Sequence, residues 1–563
     1  MSPIAKYTLQ EVLKNSIDKY SDRVCLSGID KDKLTYKEFG DKVNTVSNFL
    51  KENGIMAGDK VAILSENHPN WGISYFAVTT MGAVAVPIMT EFHESEVAHC
   101  LRHSESKAIF ISAKYYEKIA EKNFDDLTTI ILLDDFSIIP LNTNKDILKE
   151  VIATGKKEFA KIKAAALKFV GIINDEVKED DLAAIIYTSG TTGHSKGVML
   201  THKNITYDAY ATTILVDVNK NDRMLSILPL FHTIESTLGL VTPIMVGASV
   251  YYIDKPPTAA VLLPAMQKVK PTILLAVPLI IEKIYHMRVM PEINKKALVR
   301  GLYKLPLIRK KLNKIACTKL QKTFGGELKM MCIGGAALSE EVERFLREGG
   351  FPYAIGYGLT ETSPLVTGTG PETTVFRSAG KALIGMQVII DDPDPENGEG
   401  EVIIKAPNVM KGYYKDSEKT NAVLMNNGWF RTGDLGVIKN DYLFIKGRLK
   451  NVIIGSNGKN IYPEEVESII NSYDNVLESL VFESEGKLVA RVHLNYEYLD
   501  EIYSMQKMED SKVREKVNEI LNELLKMVNE RISTFSRINK IIEQPEPFEK
   551  TPTQKIKRYL YVQ

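Results

Sequence analysis

The sequence predicts an α/β protein with a large N-terminal domain built of several subdomains and a small α+β C-terminal domain. The larger part is expected to hold mainly parallel sheets plus a barrel-like β subdomain. Three observations carry this. At 563 residues the chain exceeds what one hydrophobic core ordinarily serves. Short apolar runs alternate with helix-length segments through the first half, the rhythm of crossover units. After Ser378 the texture changes to short strands dense in turn residues, and after Arg448 to a smaller mixed unit.

Taken in chain order, Val46–Gly54 reads as the end of a helix, with Gly where a helix stops. Gly58–Asn67, Gly82–Met89 and Lys107–Ser112 each hold a short buried strand. Between Ser378 and Gly447, segments such as Gly385–Pro407 and Asn426–Arg448 predict an antiparallel meander or barrel. Tyr462-Pro463-Glu464-Glu465 has the proline and acids of a helix start. The domain boundary is expected near Lys450, giving units 1–449 and 450–563.

Composition excludes several function classes. Lys plus Arg and Asp plus Glu both number 71, so no global field points to nucleic acid. Apolar residues at 44% and charged residues at 25% are ordinary globular values. Cys25, Cys100, Cys317 and Cys332 are scattered without metal spacing, as in a reducing cytoplasm. The start MSPIAKYTLQEVLKNS lacks a signal-type apolar stretch, and no apolar run reaches membrane-span length. A cytoplasmic protein, peripheral to the membrane at most, is expected.

The most informative segment is Ala184–Leu200, AIIYTSGTTGHSKGVML. A strand-like run enters a loop holding Thr188, Ser189, Gly190, Thr191, Thr192 and Gly193, with Lys196 and Gly197 after it. Glycines let a backbone approach phosphate oxygens, hydroxyls add donors, and Lys196 adds mobile positive charge. Counting GxxxxGK from Gly190 puts Ser195 where Gly is required, and GxGxxG spacing also fails, so other phosphate loops are excluded. Gly193-His194-Ser195-Lys196-Gly197 satisfies the hydrolase elbow GxSxG. That elbow needs a helix immediately afterwards, and Val198–Leu200 reads as a strand.

The segment YTSGTTGHSKGVMLTH resembles the signature of the acyl-adenylate-forming superfamily, which includes acyl-CoA synthetases, peptide-synthetase adenylation domains and luciferases. Matching segments follow in that family's order: LPLFHT from Leu228, GGAAL from Gly334, GYGLTETSP from Gly356, GWFRTGDL from Gly428, GRLKNVI from Gly447 and KTPTQKIKR from Lys550. The resemblance implies ATP, Mg²⁺ and coenzyme A as partners of a carboxylic acid, with no nucleic acid. It implies that Tyr357 stacks on adenine while Gly334, Gly335 and Ala336 line the other side, and that Gly358 belongs to the same turn. It implies that Thr360 holds the α-phosphate, Glu361 ligates Mg²⁺, and Asp434 and Arg448 reach the ribose. Lys555 then bridges the attacking carboxylate and the α-phosphate. Lys450 occupies the position of the hinge about which a mobile C-terminal domain swivels, bringing Gly458 beside the pantetheine arm.

The acid is less legible. The spacing of VPLIIEKIY (Val277–Tyr285) and the ending KTPTQKIKR resemble long-chain fatty acyl-CoA synthetases. LPLFHTIES departs from that branch: Phe231 suits aryl or shorter acids, and Phe231 with His232 is expected to border the acyl pocket. Transfer to a carrier-protein phosphopantetheine stays open beside coenzyme A. From Ile293 to Gly326 (293–326) there is no acidic residue, and lysines and arginines interleave with Leu302, Leu305, Leu307, Ile308, Leu312 and Ile315. Such a stretch suits an anionic membrane, a solvated face, or coenzyme A phosphates. Phe159–Ile172 is a second stretch of this kind. His99 and His103 have zinc spacing without an evident third ligand. Asp391–Glu401 lacks the terminal acid of a calcium loop and reads as a turn.

Overall fold

The computed structural model describes residues 4–31, 33–120, 122–141, 176–188, 195–253, 255, 257–454, 460–551 and 555–562. Two large sheets form most of it. In the eight-stranded one, the strands Lys60–Leu64, Val84–Pro87, Ser106–Ile111 and Thr129–Leu132 run parallel, as the crossover rhythm predicts. Each is almost wholly buried, because helices cover both faces of a parallel sheet. The hairpin Leu182–Thr188 and Lys196–Thr201 closes one side, and the short strand Gly412–Tyr413 adds to its edge.

The nine-stranded sheet is parallel through Val24–Gly28, Ser249–Tyr252, Arg223–Ser226, Ile273–Ala276, Met330–Ile333 and Tyr353–Gly358. Leu365–Gly368 then returns antiparallel. The helix Pro69–Thr80 buries every residue except Asn70 and touches strands of both sheets. A helix apolar all round belongs inside. The helix Tyr36–Glu52 stops at Asn53, and Gly54 takes a φ of 79° that suits glycine.

The turn-dense region forms a four-stranded antiparallel meander of Gln387–Asp391, Gly400–Lys405, Phe430–Lys439 and Tyr442–Arg448. It is open rather than barrel-like: the first and last strands are the sheet's edges and do not pair with each other. Asp391–Glu401 is the turn linking its first two strands. There Asp394 accepts from the Glu396 and Asn397 N–H groups, and Arg431 pairs with Asp391 and Glu401.

After Arg448 a separate hydrophobic cluster begins at Ile461 and ends at Ile541. It packs the helices Pro463–Ile470 and Asp510–Arg531 against a three-stranded sheet, Val476–Ser484, Lys487–Leu494 and Lys540–Glu543. No helix among the described residues is long and apolar enough to cross a membrane. Phe159–Ile172 lies outside the described residues.

Candidate active site

The described residues on either side of the predicted phosphate loop are the paired strands of a hairpin. Thr188 and Lys196 are directly paired across it, so the strands hold both ends of the connection. Ser189, Gly190, Thr191, Thr192 and Gly193 lie outside the described residues. Ser195 begins no helix: the strand Lys196–Thr201 follows at once, which removes the nucleophile-elbow geometry.

The Lys196 ammonium lies 4.9 Å from the centre of the Tyr413 ring. Tyr413 arrives there because Gly412–Tyr413 pairs antiparallel with Met199 and Val198. Its hydroxyl donates to Glu361 Oε1 at 2.9 Å, and the Met410 N–H donates to the Glu361 carbonyl at 2.8 Å. Burial and the neighbouring Glu361 carboxylate raise the pKa of Tyr413, so it stays a donor. Among the described residues Glu361 has no ion pair, which leaves a carboxylate free to meet a cation.

Glu361 sits on the short turn Thr360–Thr362, and a buried pair holds that turn. Asn408 donates to the Thr362 and Leu365 carbonyls and to Asp208 Oδ1 at 3.1 Å. Asp208 in turn accepts from the Leu365 N–H at 3.2 Å. Both side chains are buried, and burial raises the Asp208 pKa well above the carboxylate range. Gly358, one turn earlier, admits no side chain: an added Cβ would stand 1.8 Å from the Pro364 carbonyl oxygen.

Asp434 and Arg448 are partners across adjacent strands of the meander. Arg448 Nε is 2.7 Å from Asp434 Oδ1, and the Tyr357 hydroxyl donates to Oδ2 at 2.7 Å. Burial raises the Asp434 pKa while Arg448 and Tyr357 pull it down. The Asp434 bond fixes the ring of Tyr357, which lines the main cavity.

Positive groups crowd this cleft. Lys555 is exposed as a residue, yet the protein around its ammonium and then Arg448 hold its pKa below the ordinary lysine range. Asp434 and Glu361 oppose that shift, and Lys450 adds to it. Lys450 is itself lowered by burial, then by Arg448 and Lys196. His232 is pushed down to about 4 by burial and then by Lys555, so it is neutral at physiological pH.

From this cleft a cavity of about 790 Å³, mouth included, follows the strands of the nine-stranded sheet. Gly334, Gly335, Tyr357 and Gly358 line it at the carboxyl ends of the strands. Met224, Ile273 and Met330 line it near their amino ends, where they are register partners. At about 3.3 Å per residue, a strand such as Met330–Ile333 spans about 10 Å of this depth. Gly335 takes a φ of 84°, which brings its backbone to the rim without a side chain.

Ile234 and Leu238 of the wide turn Ile234–Val241 form another wall. The neighbouring Glu235 is buried, its Oε2 has no hydrogen-bond partner among the described residues, and burial pushes its pKa up to about 8. Phe231 and His232 are not among the lining residues. Phe231 packs in a hydrophobic cluster with Tyr187 on the side of the eight-stranded sheet, while His232 faces the charge of Lys555. His103 donates to or accepts from the Tyr187 hydroxyl at 2.8 Å and stacks on His99.

Thus Lys196, Glu361, Tyr357, Asp434, Arg448, Lys450 and Lys555 converge, with Thr188, Thr360, Gly334, Gly335 and Ala336 on the neighbouring segments. Gly458 lies outside the described residues. Tyr413, Asp208 and Asn408 are functional neighbours that sequence reasoning missed; the only signal for Tyr413 was its place in an apolar stretch after a Pro-Asn turn.

A family model described as AMP-binding enzyme matches residues 13–414. The chain is 29% identical over 535 residues to the long-chain-fatty-acid–[acyl-carrier-protein] ligase AEE15 of Arabidopsis thaliana, covering 81% of this chain and 72% of that protein. It is 28% identical over 612 residues to fatty acyl-CoA synthetase B of Dictyostelium discoideum, covering 98% and 88%. Its fold is similar to that of ATP-bound MatB from Rhodopseudomonas palustris, with a TM-score of 0.76 at 23% identity, covering 99% and 98%.

Proposed function

The chain belongs to the AMP-binding enzyme family, and from that premise we propose that it activates a medium- to long-chain fatty acid as an acyl-adenylate and passes the acyl group to coenzyme A. One observation carries the reading. Arg448, Lys450, Lys196 and Lys555 face one cleft; burial and then Arg448 lower the pKa of both Lys450 and Lys555, while Asp434, Glu361 and, beside Lys196, Asp416 are the carboxylates near them. Cations that outnumber the carboxylates among them are completed by a polyanion, and Lys196, paired with Thr188 across the hairpin, suits the phosphates of a nucleotide.

The residues divide the work. Lys196 and the hairpin amides hold the outer phosphates. Lys555 draws the substrate carboxylate toward the α-phosphorus, offsetting the repulsion between two anions. The carboxylate oxygen forms the new bond to phosphorus while the bond to pyrophosphate breaks, and no covalent bond to the protein is needed. Thr360 orients the α-phosphate. Tyr357 and Gly334–Gly335 enclose the adenine. Each Asp434 oxygen keeps a second lone pair after meeting Arg448 and Tyr357, so it accepts from ribose hydroxyls without losing those bonds. Glu361, a carboxylate without an ion pair among the described residues, is the group that would hold Mg²⁺; when bound, the ion neutralises phosphate charge.

The apolar cavity supports a fatty acid over a small polar one. Ile234, Leu238, Leu275 and Ile333 offer a hydrocarbon chain dispersion contacts and no polar group to desolvate. Residues 1–449 and 450–563 act as two domains, and Lys450 is the hinge. A swivel there withdraws Lys555 after the first step and brings the segment of Gly458 to the thioester step.

The test is release of pyrophosphate from ATP across a series of acids, with coenzyme A or a phosphopantetheinyl carrier protein added in turn. The reading requires acid-dependent pyrophosphate release that is greatest with medium to long chains, and thioester on coenzyme A. Preference for aryl acids, or thioester on the carrier alone, would replace the corresponding part.

A further inference from the structure

The stretch without acidic residues between Ile293 and Gly326 folds as two helices, Ala297–Tyr303 and Pro306–Thr323. The second is anchored by Asn313, Cys317 and Leu320, its buried residues. On the opposite side Leu307, Lys311, Ile315 and Lys322 share one exposed face, with the exposed Lys310 and Lys314 on its flank. The first helix buries no residue at all. Leu307 is 86% exposed, Leu298 75% and Leu305 52%.

Leucines left this open forgo burial that is ordinarily favourable. A merely solvated basic face has no use for them. The lysines beside them are equally uncommitted: among the described residues Lys310, Lys311, Lys314 and Lys322 form no ion pair. Arg309, on the flank, is instead taken by Glu348 at 2.6 Å.

The chemistry of the face selects its partner. It carries no exposed aromatic side chain on which a base could stack, and its lysines outnumber its one exposed arginine, Arg300. Lysines are compact, well-hydrated point charges, suited to the diffuse field of an anionic headgroup layer. Leucines among them suit the boundary between headgroups and acyl chains. The same helix packs through Cys317 and Leu320 onto the hydrophobic cluster holding Ile273 and Met330, which line the cavity.

We propose that this lysine–leucine face docks on an anionic lipid bilayer, with the lysines on the headgroup phosphates and Leu298, Leu305 and Leu307 entering the headgroup–acyl boundary. Docking is independent of the substrate reading, because it is measured without acid or nucleotide.

Flotation of the full chain decides it, using vesicles of phosphatidylcholine alone and vesicles with about one third phosphatidylglycerol. Binding is expected only to the second kind and weakens as salt rises. Lys310→Glu with Lys311→Glu and Lys314→Glu lowers partitioning by at least about tenfold. Leu298→Ser with Leu305→Ser and Leu307→Ser also lowers it, while melting and ATP–pyrophosphate exchange with a soluble acid stay unchanged in both variants. Equal flotation with both vesicles, or none with either, overturns the proposal. Loss in the lysine variant without loss in the leucine variant also overturns it, and marks instead an electrostatic patch for an acidic protein.

Discussion

The two ends of the cleft meet opposite physical problems. At one end Lys196, Arg448, Lys450 and Lys555 gather, and burial with the neighbouring cations lowers the pKa of Lys450 and Lys555, an arrangement an entering anion relieves. At the other, Met224, Ile273, Leu275 and Met330 line a cavity that is held open by the sheet and needs no counter-charge. The charged end is strained electrostatically and specific for what fills it. On the proposed function, the apolar end takes the hydrocarbon of the acid. Tyr357 joins them, its hydroxyl on Asp434 and its ring on the cavity. An enzyme built this way fixes its chemistry at one end and its choice of acid at the other.

That division can be broken first at Lys555. Lys555→Ala is expected to lower adenylate formation by about 10²–10³-fold, the range for removing one preorganised charge-stabilising donor. Thioester formation from supplied acyl-adenylate should change little. Equal loss of both steps would refute the division of labour.

The apolar end is sharpened by filling it. Met224→Trp should lower kcat/KM for palmitate by about tenfold relative to octanoate, since pocket length acts through a few methylenes. ATP–pyrophosphate exchange with octanoate should persist. Equal loss for both acids would place the acyl chain elsewhere.

The frame between the ends is the next target. Asp208→Ala strands the Leu365 N–H and removes one of the three acceptors of the Asn408 amide, costing about 1–3 kcal/mol in unfolding free energy from chemical denaturation. KM for ATP should rise with it, because Thr360 and Glu361 ride on the turn that Asn408 holds.

The smallest effect is in pH. Lys555 must be protonated to act, and its lowered pKa makes activity decline at a pH below that of an ordinary lysine. Lys450 contributes to the lowering, so Lys450→Ala should move the alkaline limb of kcat/KM upward by a fraction of a unit. An unmoved limb would mean that Lys450 does not act on Lys555, and a downward shift would contradict the repulsion between them.

What was legible in the sequence follows from how each feature is encoded. The predicted phosphate loop, Glu361, Asp434 and Arg448 lie in contiguous segments whose residue types betray their chemistry, and the parallel strands are runs of buried residues such as Val61–Leu64. Tyr413 was hidden because a strand of only two residues, Gly412–Tyr413, carries it to Lys196. The Asp208–Asn408 pair joins distant positions through hydrogen bonds that no local pattern reports. The cavity was hidden for the same reason: its walls come from separate strands and turns. Phe231 and His232 were expected to border the acyl pocket from the resemblance of LPLFHT, and the residues just after them, Ile234 and Leu238, line this cavity. The meander was read as strands and turns, whereas whether its edges met was a matter of tertiary packing.

The most direct measurement of the central claim follows α-phosphate-labelled ATP with the purified full chain, magnesium and a fatty acid. The account predicts acid-dependent labelled AMP and acyl-adenylate, lost in Lys555→Ala. Labelled ADP, or nucleotide turnover indifferent to every acid offered, would contradict it.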